Sequence, residues 1–162
     1  MSMDKEKLEE KVGEAIGLEM AAQKAVDELS SKGLLDHASM EDKLQRMRKQ
    51  ANNHQVDMEQ LVEKLSQSEG LDNAKIQEVA RMTEQKASQM MQVYLGADPD
   101  PSEAIEFLCL AEGGEVTHYE VLSAMGKKVN DKKFTTKVKS ILAEEKRHLQ
   151  LCTQLAKKVS VQ

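Results

Sequence analysis

The sequence predicts an all-α fold, a four-helix bundle with one additional connecting helix. Three observations predict it. The chain is rich in Leu, Ala, Met, Val, Glu, Lys and Gln, while aromatic residues make up 2% and Trp is absent, a composition that favours helix over sheet. Four long segments carry apolar residues at alternating steps of three and four, which is one helix face. Gly, Pro, Asn or Asp mark the ends of those segments, as helix stop and start signals do. At 162 residues the length suits a single domain, residues 1–162, with a sizeable core.

The first helix is expected from Asp4 to Ser31, with a stripe of Leu8, Val12, Ala15, Glu19, Ala22, Val26 and Leu29, and Gly33 as its C-terminal cap. A short link, residues 34–38, carries His37, which reads as a surface residue. Ser39 with Asp42 resembles a capping box for the second helix. The stripe there is Leu44, Met47, Ala51, His54, Met58, Leu61 and Leu65, with Asp57 at its flank and Gly70 at the end. A third helix, Asn73 to Tyr94, has a looser apolar face with no ionisable residue clearly inside it. It reads as the connecting helix, crossing from one end of the bundle to the other. The run Gly96-Ala-Asp-Pro-Asp-Pro is the firmest break.

Asp100, Pro101 and Glu103 then open the fourth helix as N-cap, first residue and third position. Its stripe is Leu108, Ala111, Glu115, His118, Leu122 and Met125. Gly113-Gly114 lies in mid-helix, a pair that costs roughly 2 kcal/mol relative to alanine. Close helix approach, a local bulge, room for a bulky ligand set and a simple kink all account for it. Gly126 ends that helix, and Asn130 or Asp131 starts the last, whose stripe is Phe134, Val138, Ile141, Glu145, His148, Cys152, Leu155 and Val159.

The bulk numbers exclude several function classes. A net charge of −5 argues against nucleic-acid binding, which uses a basic face. No apolar run approaches the roughly 18 residues that span a membrane, and the charged start, Met1-Ser-Met-Asp-Lys-Glu-Lys, has no signal-peptide core. A cytoplasmic location is expected. Cys109 and Cys152 lack zinc or Cys-x-x-Cys spacing and read as free, buried thiols. The ten methionines read as core fillers.

Each of the four long helices has polar residues inside its apolar stripe near the middle: Glu19, His54, Glu115 with His118, and Glu145 with His148. The last two pairs are Glu-x-x-His, and residues three apart on a helix share a face. Glu19 lies about 16 residues before the middle of its hairpin and His54 about 18 after it, a mismatch of roughly 3 Å in height. Glu115 and Glu145 are matched as closely across the second hairpin. Buried carboxylates need partners, because leaving them unpaired costs several kcal/mol. Metal ions are one set of partners, with Asp57 as an additional donor. A metal-free polar network is the other. Tyr119, next to His118, reads either as a redox neighbour or as a packed residue with its hydroxyl satisfied. Cys152 reads as core, with a thiol ligand as the alternative.

The pattern resembles the ferritin-like superfamily, whose di-iron members place Glu, Glu-x-x-His, Glu and Glu-x-x-His on four successive bundle helices. Within it, His118-Tyr119-Glu120 and Glu144-Glu145-Lys146, followed by Leu155-Ala156, are similar to the YciF-like stress-protein family. The coarse resemblance covers most of the chain and the specific one about 40 residues at its C-terminal end. It implies two iron ions, with manganese or zinc as substitutes, held by Glu19, His54, Glu115, His118, Glu145 and His148. It also implies chemistry on oxygen, peroxide or ferrous iron in stress response. A homodimer is expected on a separate ground, the extra surface that a fifth helix adds to the bundle. The chain departs from the pattern at Ala51, where a Glu is usual, and at Thr117, where the YciF-like family has a carboxylate. The rival expectation is a ferritin-like bundle kept for structure or protein interaction. A zinc hydrolase is the weakest, since His-Glu-x-x-His is absent.

Overall fold

Asp4, Asp72, Asp100 and Asp131 each turn a side-chain oxygen onto the first turn of the helix they precede. They accept from the backbone N–H of Lys7 (3.1 Å), Lys75 (3.1 Å), Glu103 (2.8 Å) and Lys133 (2.9 Å). Each such cap contributes about 1 kcal/mol. The computed structural model describes residues 4–36 and 40–161. Its helices are α1 (Lys5–Ser31), α2 (Met40–Ser68), α3 (Asn73–Leu95), α4 (Pro101–Gly126) and α5 (Lys132–Ser160). The expected cap at Ser39 and the surface reading of His37 lie outside the described residues. Pro101 takes the first position of α4. Gly96, at φ 68°, ends α3 with its N–H on the Gln92 carbonyl, a conformation that suits glycine. Among the described residues there is no strand, and no helix is long and apolar enough to cross a membrane.

Side-chain pairs give the helix directions. Glu19 meets His54, Gln23 meets Gln55 and Asp27 meets Arg48, so α1 and α2 run antiparallel. Asp57 meets Lys137, His54 meets Glu145 and Met47 meets Cys152, so α2 and α5 do too. Glu14 meets His118, and Glu120 meets Lys146, which sets α4 between α1 and α5. The four helices therefore form a ring in the order α1–α2–α5–α4. Because α4 and α2 run the same way, the chain must cross the length of the bundle between them. Helix α3 makes that crossing.

Helix α3 packs more closely than its loose apolar face suggests. It lies parallel to α1, with Glu9 on Lys75, Lys24 on Glu84 and Glu28 on Gln92. Two glycines of α1 permit the approach. A Cβ on Gly13 would lie 2.7 Å from the Val79 Cβ, and one on Gly17 would overlap the Ala80 carbonyl oxygen. The expectation of no ionisable residue inside this face fails at Glu84, which is buried and held 2.5 Å from the Lys24 Nζ.

The apolar residues divide into two clusters. One contains Leu8, Val12, Ile16, Met58, Phe134, Val138 and Ile141, and the other Val26, Leu29, Met40, Leu44, Ile105, Leu108 and Leu155. The stripes of α1, α2 and α5 feed both clusters as their spacing predicts. On α4 the observed inward face is Leu108, Glu112, Glu115, Tyr119 and Leu122. The expected Ala111 and His118 sit one residue off it. Steps of three and four are interchangeable along a stripe, and here the order is four, three, four, three.

Candidate metal centre

Between the two apolar clusters lies a polar layer. Glu19, His54, Glu112, Glu115, Glu145 and His148 come from the middles of α1, α2, α4 and α5, and none is more than 4% exposed. Glu145 is the hub. Its Oε1 lies 2.8 Å from the His54 Nδ1, and its Oε2 lies 3.4 Å from the His148 Nδ1. The same His54 Nδ1 is also 2.8 Å from the Glu19 Oε2. A single N–H cannot serve two carboxylates, and the better-aligned hydrogen bond goes to Glu145. The His148 Nδ1 is 3.7 Å from the Glu112 Oε2.

The two imidazoles are oriented alike. Each turns Nδ1 into the layer and Nε2 outward onto an oxygen: Glu144 Oε1 at 3.1 Å for His54, and Gln50 Oε1 at 2.5 Å for His148. The rings stack with centroids 5.8 Å apart. An outer acceptor that fixes the tautomer and plane of an imidazole is the usual support of a metal-ligating histidine.

Two groups of side chains bring ligand atoms within 4.8 Å of one another: Glu19, His54 and Glu145, and then Glu112, Glu145 and His148. Glu145 belongs to both. Among the described residues, both oxygens of Glu19, both of Glu115, and one each of Glu112 and Glu145 are buried without a hydrogen-bond partner. Each such group costs about 1–3 kcal/mol, more if charged, and a divalent cation would satisfy several at once.

The titration behaviour follows the crowding. Burial, followed by the charge of Glu145, holds Glu19 and Glu112 up to about 8. Burial and the charges of Glu112, Glu145 and Glu19 hold Glu115 well above the carboxylate range. Burial would also raise Glu145, but hydrogen bonds from His148 and His54 overcome it and hold Glu145 well below. Burial works to lower both histidines. Glu145 and Glu19 nonetheless raise His54 to about 11, and Glu112 and Glu145 raise His148 to about 9. Charge would balance with metal in place. Four ionised carboxylates carry −4, two divalent cations carry +4, and with both imidazoles neutral the filled layer is neutral.

The sequence-predicted residues separate on this geometry. Glu19, His54, Glu115, Glu145 and His148 converge. His118 does not: its Nε2 lies 3.0 Å from the Glu14 Oε2 and its Nδ1 2.9 Å from the Gly114 carbonyl, on the half-exposed side of α4 towards α1. Asp57 is also outside, partly exposed, with Oδ2 3.4 Å from the Lys137 Nζ. Ala51 is buried beside the layer and offers it no ligand. The residue missed is Glu112. Its signal was available, a second carboxylate three residues before Glu115 on one helix face. Cys152 lies in an apolar cluster with its Sγ 3.7 Å from the Met47 Sδ, and burial, ahead of the charge of Glu112, pushes its thiol up. Tyr119 is fully buried, and its hydroxyl has no hydrogen-bond partner among the described residues, contrary to the packed reading with a satisfied hydroxyl.

Compared with protein-family models, with curated proteins and with solved structures, the chain finds no match in any of the three.

Proposed function

We propose that the chain is a ferritin-like, carboxylate-bridged dimetal protein, nearest in its C-terminal motifs to the YciF-like family. The observation that carries this reading is Glu145. It is a single buried carboxylate shared by two ligand groups, in a layer where six carboxylate oxygens have no partner. The helix order supports it, because a four-helix bundle with one long crossover is the ferritin-like connection.

In this reading Glu19 and His54 hold one ion and Glu112 and His148 the other. Glu145, common to both ligand groups, would serve both ions, and Glu115, with both oxygens unpartnered, would be available as a further carboxylate. Gln50 and Glu144 fix the imidazoles. Mixed carboxylate and imidazole donors suit iron, and also manganese and zinc. Iron, when bound, supplies electron-transfer chemistry with oxygen or peroxide. The chain's own contribution is to exclude water from the layer, to hold two nitrogen donors by their outer hydrogen bonds, and to release protons from carboxyls and imidazoles as the metals enter. Oxidation of ferrous iron, removal of peroxide and a role in stress response belong to this proposal, as do a cytoplasmic location and a homodimeric state.

The experiment is elemental analysis of protein purified without chelator or histidine tag, repeated after anaerobic ferrous loading. About two metal ions per chain are expected, as in the dimetal bundles of this architecture. Glu145→Ala is expected to lose both ions, since it removes the shared ligand. No metal above background after loading overturns the reading in favour of a metal-free bundle kept for structure or interaction, to which Ala51 lends support.

A further inference from the structure

An apolar cavity of about 250 Å³ opens between α1, α3 and α4 and runs inward to Glu115. Its walls are small. Ala21, Ala22 and Ala25 of α1, Ala87 of α3, and Ala111 and Gly114 of α4 shape it, while Leu18, Met90, Phe107 and Leu110 form its longer sides. Among the described residues no Lys, Arg or Asp lines it. Its polar side chains are Ser88, His118 and Glu115.

Two observations mark this as a ligand site rather than a packing gap. Its inner wall includes a carboxyl group that is 1% exposed with both oxygens unpartnered. In addition, α4 carries Gly113 and Gly114 in mid-helix, and a Cβ at either would meet nothing within 4 Å among the described residues. Helix α4 therefore accepts the lower helix propensity of two glycines without the close approach that explains Gly13 and Gly17 in α1. At Gly114 the effect is to keep the cavity open. The alternatives of bulge and helix approach are left without support.

We infer that this cavity is the substrate pocket of the centre, and that it takes an uncharged aliphatic molecule whose polar end reaches Glu115. A volume of about 250 Å³ is about eight times the roughly 30 Å³ share of one water in the liquid, room for a chain of several carbons. The uncharged head follows from the lining: among the described residues no Lys or Arg is there to pair an anion, and either ion would lose its hydration to apolar side chains. A second opening to the layer among the described residues, beside Gln50 and His148, is rimmed by Lys43, Arg46 and Arg147.

As the substrate pocket of a dimetal centre the assignment rests on the proposed function, and the test separates the two. The full-length protein is titrated with 1-octanol by calorimetry, with octanoate as comparator, and metal per chain is measured on the same samples. One 1-octanol per chain is expected, bound at least tenfold more tightly than octanoate. Gly114→Leu on α4 and, independently, Ala87→Leu on α3 are expected to weaken it at least tenfold while metal per chain stays unchanged. No octanol uptake at saturation overturns the inference, as does equal uptake in wild type and both variants. A stable dimer that protects α3 and α4 around the cavity from hydrogen exchange and takes up no octanol assigns the cavity to a second copy and overturns it as well. Octanol binding without metal removes the centre and keeps the cavity. Metal without octanol does the reverse.

Discussion

At the ends of the bundle, Ile16, Phe134 and Val138 on one side and Leu29, Leu44 and Ile105 on the other are buried among apolar neighbours, and burial alone stabilises them. In the layer between, Glu19, Glu112, Glu115 and Glu145 are buried as completely, and burial stabilises none of them. The difference separates stability from function along the axis of one bundle. The end clusters hold the helices together, and the layer uses part of that stability to keep carboxylates where solvent cannot reach them. If that division is right, a change at the ends and a change in the layer should differ in sign as well as in size.

The largest contrast is in pH. In the metal-free protein Glu19 and Glu112 are raised from about 4.5 to about 8. A raised group stabilises the fold fully below its unfolded value, and that contribution is lost as pH climbs through the folded value. His148, raised from about 6.5 to about 9, and His54, raised to about 11, follow the same sign at higher pH. Glu145, held well below its ordinary value, acts oppositely, but its contribution is lost only on acidification. Metal-free protein should therefore be more stable near pH 5.5 than near pH 8.5, by several kcal/mol, since a tenfold difference in proton affinity between folded and unfolded chain is worth about 1.4 kcal/mol. Metal binding competes with protons, so the loaded protein should gain stability across that same window. Urea midpoints at both pH values, with and without metal, measure this. Parallel curves would break the comparison.

Next in size is a cut in an end cluster. Phe134→Ala removes a fully buried ring and should cost about 4 kcal/mol. Metal per chain should stay at the wild-type value, because no atom of Phe134 belongs to either ligand group. Loss of metal in a folded Phe134→Ala protein would show that the layer depends on that end cluster.

The layer should answer the other way. Glu115→Leu replaces a carboxyl with two unpartnered oxygens by an apolar side chain. It should stabilise the metal-free protein by about 2 kcal/mol, the order of the cost of keeping a buried polar group without a partner. Metal per chain should fall. A variant that loses stability in the absence of metal would show that Glu115 has partners in the metal-free layer.

Much of this division was legible in the sequence. The stripes of α1, α2 and α5 gave both end clusters and put Glu19 level with His54 in one hairpin and Glu145 level with Glu115 in the other, because a helix converts sequence spacing directly into position on a face; the alignment of the two hairpins depended on α3. Asp100 gave one helix start outright, Asp4 and Asp131 stood at two more, and Asp72, the cap of α3, was not singled out. What escaped has physical reasons. Glu112 and Tyr119 lie one residue from Ala111 and His118, and a stripe that steps by three or four cannot choose between neighbours without the opposing helices. His118 completed an attractive Glu-x-x-His, yet its ring pairs with Glu14. The closeness of α3 to α1 depended on Gly13 and Gly17, which contribute nothing to a hydrophobic pattern. The cavity at Glu115 was legible only as the unexplained pair Gly113-Gly114.

Those two glycine pairs give the smallest and sharpest test. Gly17→Ala drives a methyl group into the Ala80 carbonyl, so α1 and α3 must part and stability should fall. Gly113→Ala adds the same methyl group where no described atom lies within 4 Å, inside a regular helix. There the only change is helix propensity, and stability should rise by about 1 kcal/mol. Opposite shifts of the urea midpoint from one identical substitution would show that α1 uses glycine to bring helices together and α4 uses it at the layer without a packing gain. If Gly113→Ala instead destabilised the protein, α4 would have a close neighbour at that turn, such as a second copy of the chain. The open side of the layer would then belong to an interface.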